Sequence, residues 1–368
     1  MKCFVSTLLY LLTLSLPVTA AYDDGSRYAF LASVSQKSIS IVDLQQQKVA
    51  QTIELKRVPG AIVASNDMKA LVVAHREDKQ LTLVDLASAR LEQIDYPLSM
   101  IPDDIKLGPL GDTLAIYDRQ QRVLEVQSVR RRETLVRISD VDTATSFTFS
   151  LDGSHVYWID QGRGELRVSD LWSKNTSLTL SRDGAGLSAM SRSVDGRLGF
   201  VSDARAGKVY VIDLKSLTKI KEIYVERSPG RPWGTTDGST MLIPNRADAT
   251  LTAISTLTLE ALYTVKAVAN PVAINVGWLD TTAAVIGENG DVALLDLTTG
   301  TVAEHLQFKG LPREGVVTSD SRTLVVSIGG LGSLALFDMR SRSLVREISG
   351  LPSDIGVATL AVSNNLCH

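Results

Sequence analysis

The stretch Lys208–Val225, KVYVIDLKSLTKIKEIYV, decides the fold. It reads as an alternating apolar strand, a turn opened by Asp213, and a second strand. An aspartate in that place bonds its own turn backbone a residue or two on, which closes a hairpin. Variants of the phrase recur along the chain. They put Asp43 in SISIVDL, Asp85 in LTLVDL, Ser128 in VLEVQSV, Asp170 in LRVSDL, Asp213 in VYVIDL, Ser255 in LTAIST, Asp296 in VALLDL and Asp338 in LALFDM. The successive gaps are 42, 43, 42, 43, 42, 41 and 42 residues. A fixed period of 40 to 45 residues built from short strands is the signature of β-propeller blades.

Working outward, each unit parses as four strands, A to D, with the phrase supplying strand C. Before it, Asn66-Asp67, Gly111-Asp112, Asp152-Gly153, Asp195-Gly196, Asp237-Gly238, Asp280 and Asp320-Ser321 mark the A-to-B turn. These residue types accept the backbone angles of tight hairpins. Strand B follows, as in KALVVAH or HVYWID. After strand D, Pro59, Pro102, Pro229, Pro271, Pro312 and Pro352 keep the same step, and proline suits the passage between blades because it donates to no ladder. The chain is therefore expected to be all-β: an eight-bladed β-propeller of four-stranded antiparallel blades. The first unit opens at strand B in YAFLASV, and the tail SDIGVATLAVSNN supplies the missing strand A, which closes the ring and removes two sheet edges. Seven blades is the alternative, and it requires one unit to be misparsed.

The first residues, MKCFVSTLLYLLTLSLPVTA, carry Lys2, an apolar core from Leu8 to Leu16 and a small-residue site at Val18-Thr19-Ala20. Residues 1–20 read as a signal peptide and 21–368 as one propeller domain, which makes the protein periplasmic or secreted. No later stretch approaches the length of a membrane span. Cys367 is then the single cysteine of the exported chain, with no internal disulfide partner. A formal net charge of -3 gives no global attraction to nucleic acid or an anionic membrane, so an anion site has to be local.

The phrases GRLGFVSDARAGKVYVIDLKSLTKIKEIYV and RPWGTTDGSTMLIPNRADATLTAISTLTLEAL resemble bacterial YVTN-type propeller repeats and the related haem-d1-domain superfamily. The resemblance covers essentially the whole mature chain. It implies an exported propeller, and among its members are eight-bladed modules that hold haem d1. Its motifs are strand and turn residues, so they speak for fold and not for reaction.

Candidate binding residues follow from the architecture. B-to-C loops and D-to-A linkers emerge on one face around the channel mouth. They supply Arg57, His75, Arg119, Arg182, Arg205, Arg231, Trp233, Arg246 and Arg313. Guanidinium forks pair with carboxylate or phosphate. Arg57, Arg182, Arg231 and Arg313 come from four linkers, and Trp233 offers a stacking surface. His75 is the one histidine expected on that face, where it suits an axial haem ligand or a proton carrier.

No nucleophile elbow, phosphate loop or Cys-x-x-Cys-His is present. The function expected is a non-enzymatic scaffold or binding protein. It takes a periplasmic or extracellular protein or a small anionic ligand, acts as a monomer and binds no specific nucleic acid. No cofactor or metal is expected. The alternative is a redox-associated module that binds or matures a haem-type tetrapyrrole. A metal-dependent hydrolase or lactonase-like propeller comes third, and the inner strands GAIVAS, TATSFTFS, LSAMSRS and AINVGWL offer it few carboxylates.

Overall fold

A computed structural model describes residues 22–141, 144–172, 174–182 and 186–360. The leader-like segment, Asp142, Asp183, Cys367 and His368 lie outside the described residues. Strands form eight antiparallel sheets in a ring, and consecutive strands are neighbours within each sheet. The seven-bladed alternative is thereby excluded. All eight C strands end on the marker residue that the sequence singled out, from Ser38–Asp43 in blade 1 to Ser333–Asp338 in blade 8.

The marker side chains do what their chemistry predicts. Asp213 Oδ1 accepts from Ser216 N at 2.8 Å, Asp296 Oδ1 from Thr298 N at 2.8 Å and Asp338 Oδ1 from Arg340 N at 2.9 Å. Ser128 and Ser255 replace aspartate and cap through Oγ instead. Four residues after the marker the backbone turns left-handed, at Gln47, Arg132, Leu217, Leu259, Gly300 and Arg342, and a β-bulge follows in the C–D ladder. This is the hairpin in which a type I turn is followed by a left-handed residue and a bulge. The repeated phrase is thus the sequence of that one hairpin.

Ring closure also follows the expectation. Thr359–Leu360 pairs with Phe30 and Ala29 of strand Tyr28–Ser33 and becomes strand A of blade 1. Upstream of it, Gly356 N donates to Ala32 O at 3.0 Å. Asp354 clamps the joint, accepting from Ser33 Oγ at 2.7 Å and Ser35 N at 2.6 Å. The blades are glued face to face by apolar clusters, such as the one that joins Leu242 and Leu251 of blade 6 to Val285 and Leu294 of blade 7. No helix among the described residues is long and apolar enough to cross a membrane.

Candidate functional site

Strand A of every blade runs from the loop face down the channel wall, so an inner-strand residue can meet charges from distant blades. In blade 3 this strand is Asp104–Leu107, with Ile105 buried in the core. Side chains alternate along a strand, so Asp104 and Lys106 share the opposite side. In blade 6 strand A is short, Trp233–Gly234. Just before it, Gly230 N bonds Pro244 O and Trp233 pairs with Leu242, so Arg231 and Pro232 together face the single residue Ile243. Such a bulge re-aims side chains. In blade 8 the inner strand is broken into Leu311–Pro312 and Val316–Val317, both paired to strand B, with Arg313, Glu314 and Gly315 between them. Asn275 of blade 7 holds that excursion, donating to Gly315 O at 2.7 Å and accepting from Gly315 N at 3.2 Å. A side chain at position 315 would strike Leu324, which is why glycine stands there.

The regular inner strand of blade 3, the irregular ones of blades 6 and 8, and Arg192 of blade 5 contribute charges that act on Lys106. Burial pushes the Lys106 ammonium down from its ordinary value to about 7, and the charges of Arg231 and Arg192 add to the shift while Asp104 and Glu314 oppose it. Burial likewise lowers Arg231, against the pull of Glu314, and raises the Asp104 carboxyl, against the Ile105 N–H and the charges of Lys106 and Arg119. Groups from blades 3, 5, 6 and 8 therefore feel one another across the channel. Arg231 lies over the Trp233 ring at 4.8 Å from its centroid, and its Nε has no hydrogen-bond partner among the described residues. Lys106 makes no described ion pair either. Lys106 and Arg231 are half-buried, and cations partly shielded from water and without a described ion-pair partner favour an incoming anion.

The predicted site residues divide. Arg231 belongs to the cluster. Trp233 is buried, at 2% exposure, beneath Arg231, so its ring is a support for the arginine and not an open stacking surface for a ligand. Arg57 sits away from the axis against Asp95, at 3.2 Å, and Asp78, at 3.9 Å. Arg119, Arg182, Arg205, Arg246 and Arg313 are exposed on the loop face and make no ion pair among the described residues. Arg119 and Arg246 are equivalent, each directly following strand B of its blade, and Arg76 is a third member of that set.

His75 is a correction. It is not an exposed loop histidine: it is 1% exposed, with Nδ1 3.1 Å from Val58 O and Nε2 2.8 Å from Thr82 Oγ1. The reason is positional. The last residue of strand B bonds the third residue of strand C, seven positions on, in two further blades: Asn245 to Thr252 at 2.9 Å, and Asp203 to Tyr210 at 3.1 Å. His75 fills that structural slot, and both its ring nitrogens are used. Burial lowers its pKa further. Asp118 and Asp160, which end strand B in blades 3 and 4, are buried turn caps that accept from Gln121 N at 2.7 Å and Arg163 N at 3.0 Å.

Lys106 and Arg192 escaped the sequence reading because the search for chemistry went to loops. The signal was present. A lysine in the inner strand DDIKL, and the arginine in LSAMSRS, have to put charge where a propeller normally puts small or apolar residues. Elsewhere, a shallow open groove of ≈ 550 Å³ lies at the outer seam of blades 5 and 6, lined by Tyr224, Arg227, Asp248 and Thr250. Its arginine is already paired, with Arg227 Nε donating to Asp248 Oδ1 at 2.8 Å. The channel cluster is the better candidate. No three His, Cys, Asp or Glu side chains come together as a metal-binding group among the described residues.

No protein-family model and no curated protein matches the chain in sequence. Solved structures do match its fold. The dihydro-heme d1 dehydrogenase NirN in complex with DHE superposes with a TM-score of 0.76 at 17% identity, over 95% of this chain and 78% of that one. AztD from Citrobacter koseri gives 0.67 at 12%, over 90% and 97%. A protein of unknown function from Desulfotomaculum acetoxidans gives 0.56 at 12%, over 92% and 100%. At these identities the likeness is one of fold, and it agrees with the resemblance to haem-d1-type propellers.

Proposed function

We propose that this protein is an exported, non-enzymatic propeller that binds an anionic ligand at the loop-face end of its central channel. The supporting observation is the pair of cations Lys106 and Arg231, both depressed chiefly by desolvation, with Arg231 Nε left without a hydrogen-bond partner among the described residues. The exposed rim arginines extend the positive field outward and steer an anion toward the mouth. Export rests on the leader-like first 20 residues. The test is calorimetric titration of the purified mature protein with a panel of carboxylates and phosphates. Binding by the wild type that is lost in the Lys106→Met, Arg231→Met double variant supports the assignment. Equal binding by both proteins sinks it.

A carboxylate-bearing tetrapyrrole is a second reading, favoured by the fold likeness to NirN with its bound ligand. It gains no axial histidine from His75, which is buried and bonded, nor from His155, stacked on Tyr157, nor from His305 on an outer strand beside Asp291. The macrocycle would have to be held by its carboxylates. A Soret shift on haem titration that survives His75→Asn but disappears with Arg231→Met supports this version, and an unchanged spectrum removes it.

A further inference from the structure

The outer strand of each blade leaves a row of N–H and C=O groups without a ladder partner. Such an edge invites pairing with another chain unless charge, proline or a bulge blunts it. Seven of the eight outer strands are blunted. Those of blades 1, 3, 5, 6, 7 and 8 combine a bulge in the C–D ladder with at least one ionisable residue, as Lys221 and Glu222 in blade 5. Blade 2 has no bulge there, but its outer strand Gln93–Pro97 contains Asp95 and ends in proline. Blade 4 is the exception among the described residues. Its outer strand Asn175–Thr179, NTSLT, has neither charge nor proline, and it pairs with strand C in unbroken register from Ser169–Asn175 to Glu165–Thr179. Leu178 is half-buried and the other four residues are exposed.

Just beyond the two ends of this strand, Asp170 N bonds Lys174 O and Leu180 N bonds Gly164 O. Bonding alternates along an antiparallel ladder. The even-numbered residues therefore bond inward, and Asn175, Ser177 and Thr179 turn their backbone groups outward. We propose that this edge pairs with the same edge of a second copy, antiparallel and centred on Ser177, in place of the monomer expected from the sequence. In that register the strand is its own complement. Asn175 stands opposite Thr179 of the second copy and Ser177 opposite its own equivalent, and these pairs exchange about six backbone hydrogen bonds. Between them Thr176 meets Leu178 of the second copy at the close spacing of a non-hydrogen-bonded pair, which covers the leucine. No like charges are opposed. The strand leads from the turn that holds Trp172, 77% exposed, toward Arg182, which is exposed and makes no ion pair among the described residues. The two-fold axis sets Trp172 of each copy at the end where Arg182 of the other leaves, and a guanidinium over an indole is attractive. The two blades merge into one continuous sheet. The loop faces of the two copies then point in opposite directions, and both channel mouths stay open.

One pair of strands buries less than the roughly 1,200 Å² of a stable interface, so the association is expected to be weak, with a dissociation constant on the order of 100 μM. Sedimentation equilibrium on the mature protein should give the monomer mass at about 1 μM and a mass rising toward twice that value at about 500 μM. Ser177→Lys and Ser177→Glu each oppose like charges across the two-fold axis and should stay monomeric over this range. An equimolar mixture of the two should associate at least as tightly as the wild type, because opposite charges then face each other. Ser177→Pro removes an N–H that strand C does not use and should also be monomeric. Unchanged circular dichroism and melting temperature show that these variants fold. Trp172→Ala should weaken association about threefold. Association that persists in Ser177→Lys overturns the proposal, and so does a mixture of the charged variants that fails to pair. A wild type that stays monomeric throughout overturns it as well, and leaves this edge to an extended segment of another protein.

Discussion

The guanidinium of Arg231 stacks 4.8 Å from the centroid of the Trp233 ring and leaves its Nε buried without a hydrogen bond among the described residues. A desolvated cation–π contact contributes on the order of 2 kcal/mol. Holding an imperfectly paired charge out of water costs several kcal/mol. Arg231 itself is half-buried, so the sign of the balance is what its replacement tests.

Arg231→Met keeps an apolar stem on the indole and removes the charge. It should raise the unfolding free energy in urea by about 1 kcal/mol while weakening anion binding at least about tenfold. A loss of stability would mean that the stack outweighs the desolvation.

His75 predicts a pH dependence. Burial is the main cause that lowers its pKa in the folded chain, so the unfolded chain binds the proton more readily. Its contribution to stability is complete above the unfolded value of about 6.5 and is lost as pH falls through the lower folded value. Denaturation midpoints should therefore decline from about pH 6.5 downward, and His75→Asn, which copies the Asn245 arrangement, should flatten that part of the curve. Thr82→Val, which leaves Nε2 without its partner, should cost about 1–3 kcal/mol.

The ring is closed by a short strand, so Asp354 carries weight out of proportion to its size. Desolvation alone would raise its carboxyl, but the Ser35 N–H and the Ser33 and Ser35 hydroxyls hold it below the usual carboxylate range. Asp354→Ala should cost about 1–2 kcal/mol by thermal denaturation. The same loss should appear in the wild type as pH drops below about 4, because a carboxyl with a lowered folded pKa stabilises only while ionised.

The hairpin after each C strand offers a control on the fold alone. Gln47 holds φ at 53° where blade 7 has Gly300 at 64°. Gln47→Gly should stabilise by up to about 1 kcal/mol, since glycine takes this conformation without steric cost. Gly300→Ala should destabilise by more than that, because its Cβ would also sit 3.2 Å from the Tyr263 ring. Chemical denaturation of both variants checks the pair.

Much of the site was partly legible. The D-to-A linkers pointed to Arg231. What misled was the assumption that loop-face residues stay loose. Asp118, Asp160, Asp203 and His75 end strand B, and a strand end packed under a linker has to bond its own turn or its neighbour strand. Residue type alone does not separate a capping aspartate from a free one.

The sequence by itself determined the number of blades, the hairpin after every marker from Asp43 to Asp338, and the closure by the C-terminal strand. The first two rest on contacts within about 45 residues, where period and turn chemistry carry the information; the third joins Ala29 to Leu360, the two ends of the chain, and was legible because the first unit lacks a strand A and the tail supplies one. Only the tertiary structure decided that Lys106, Arg192, Arg231 and Glu314 share one field. They lie in four different blades, and charges so far apart in sequence meet only when a closed ring brings its inner strands to a common axis.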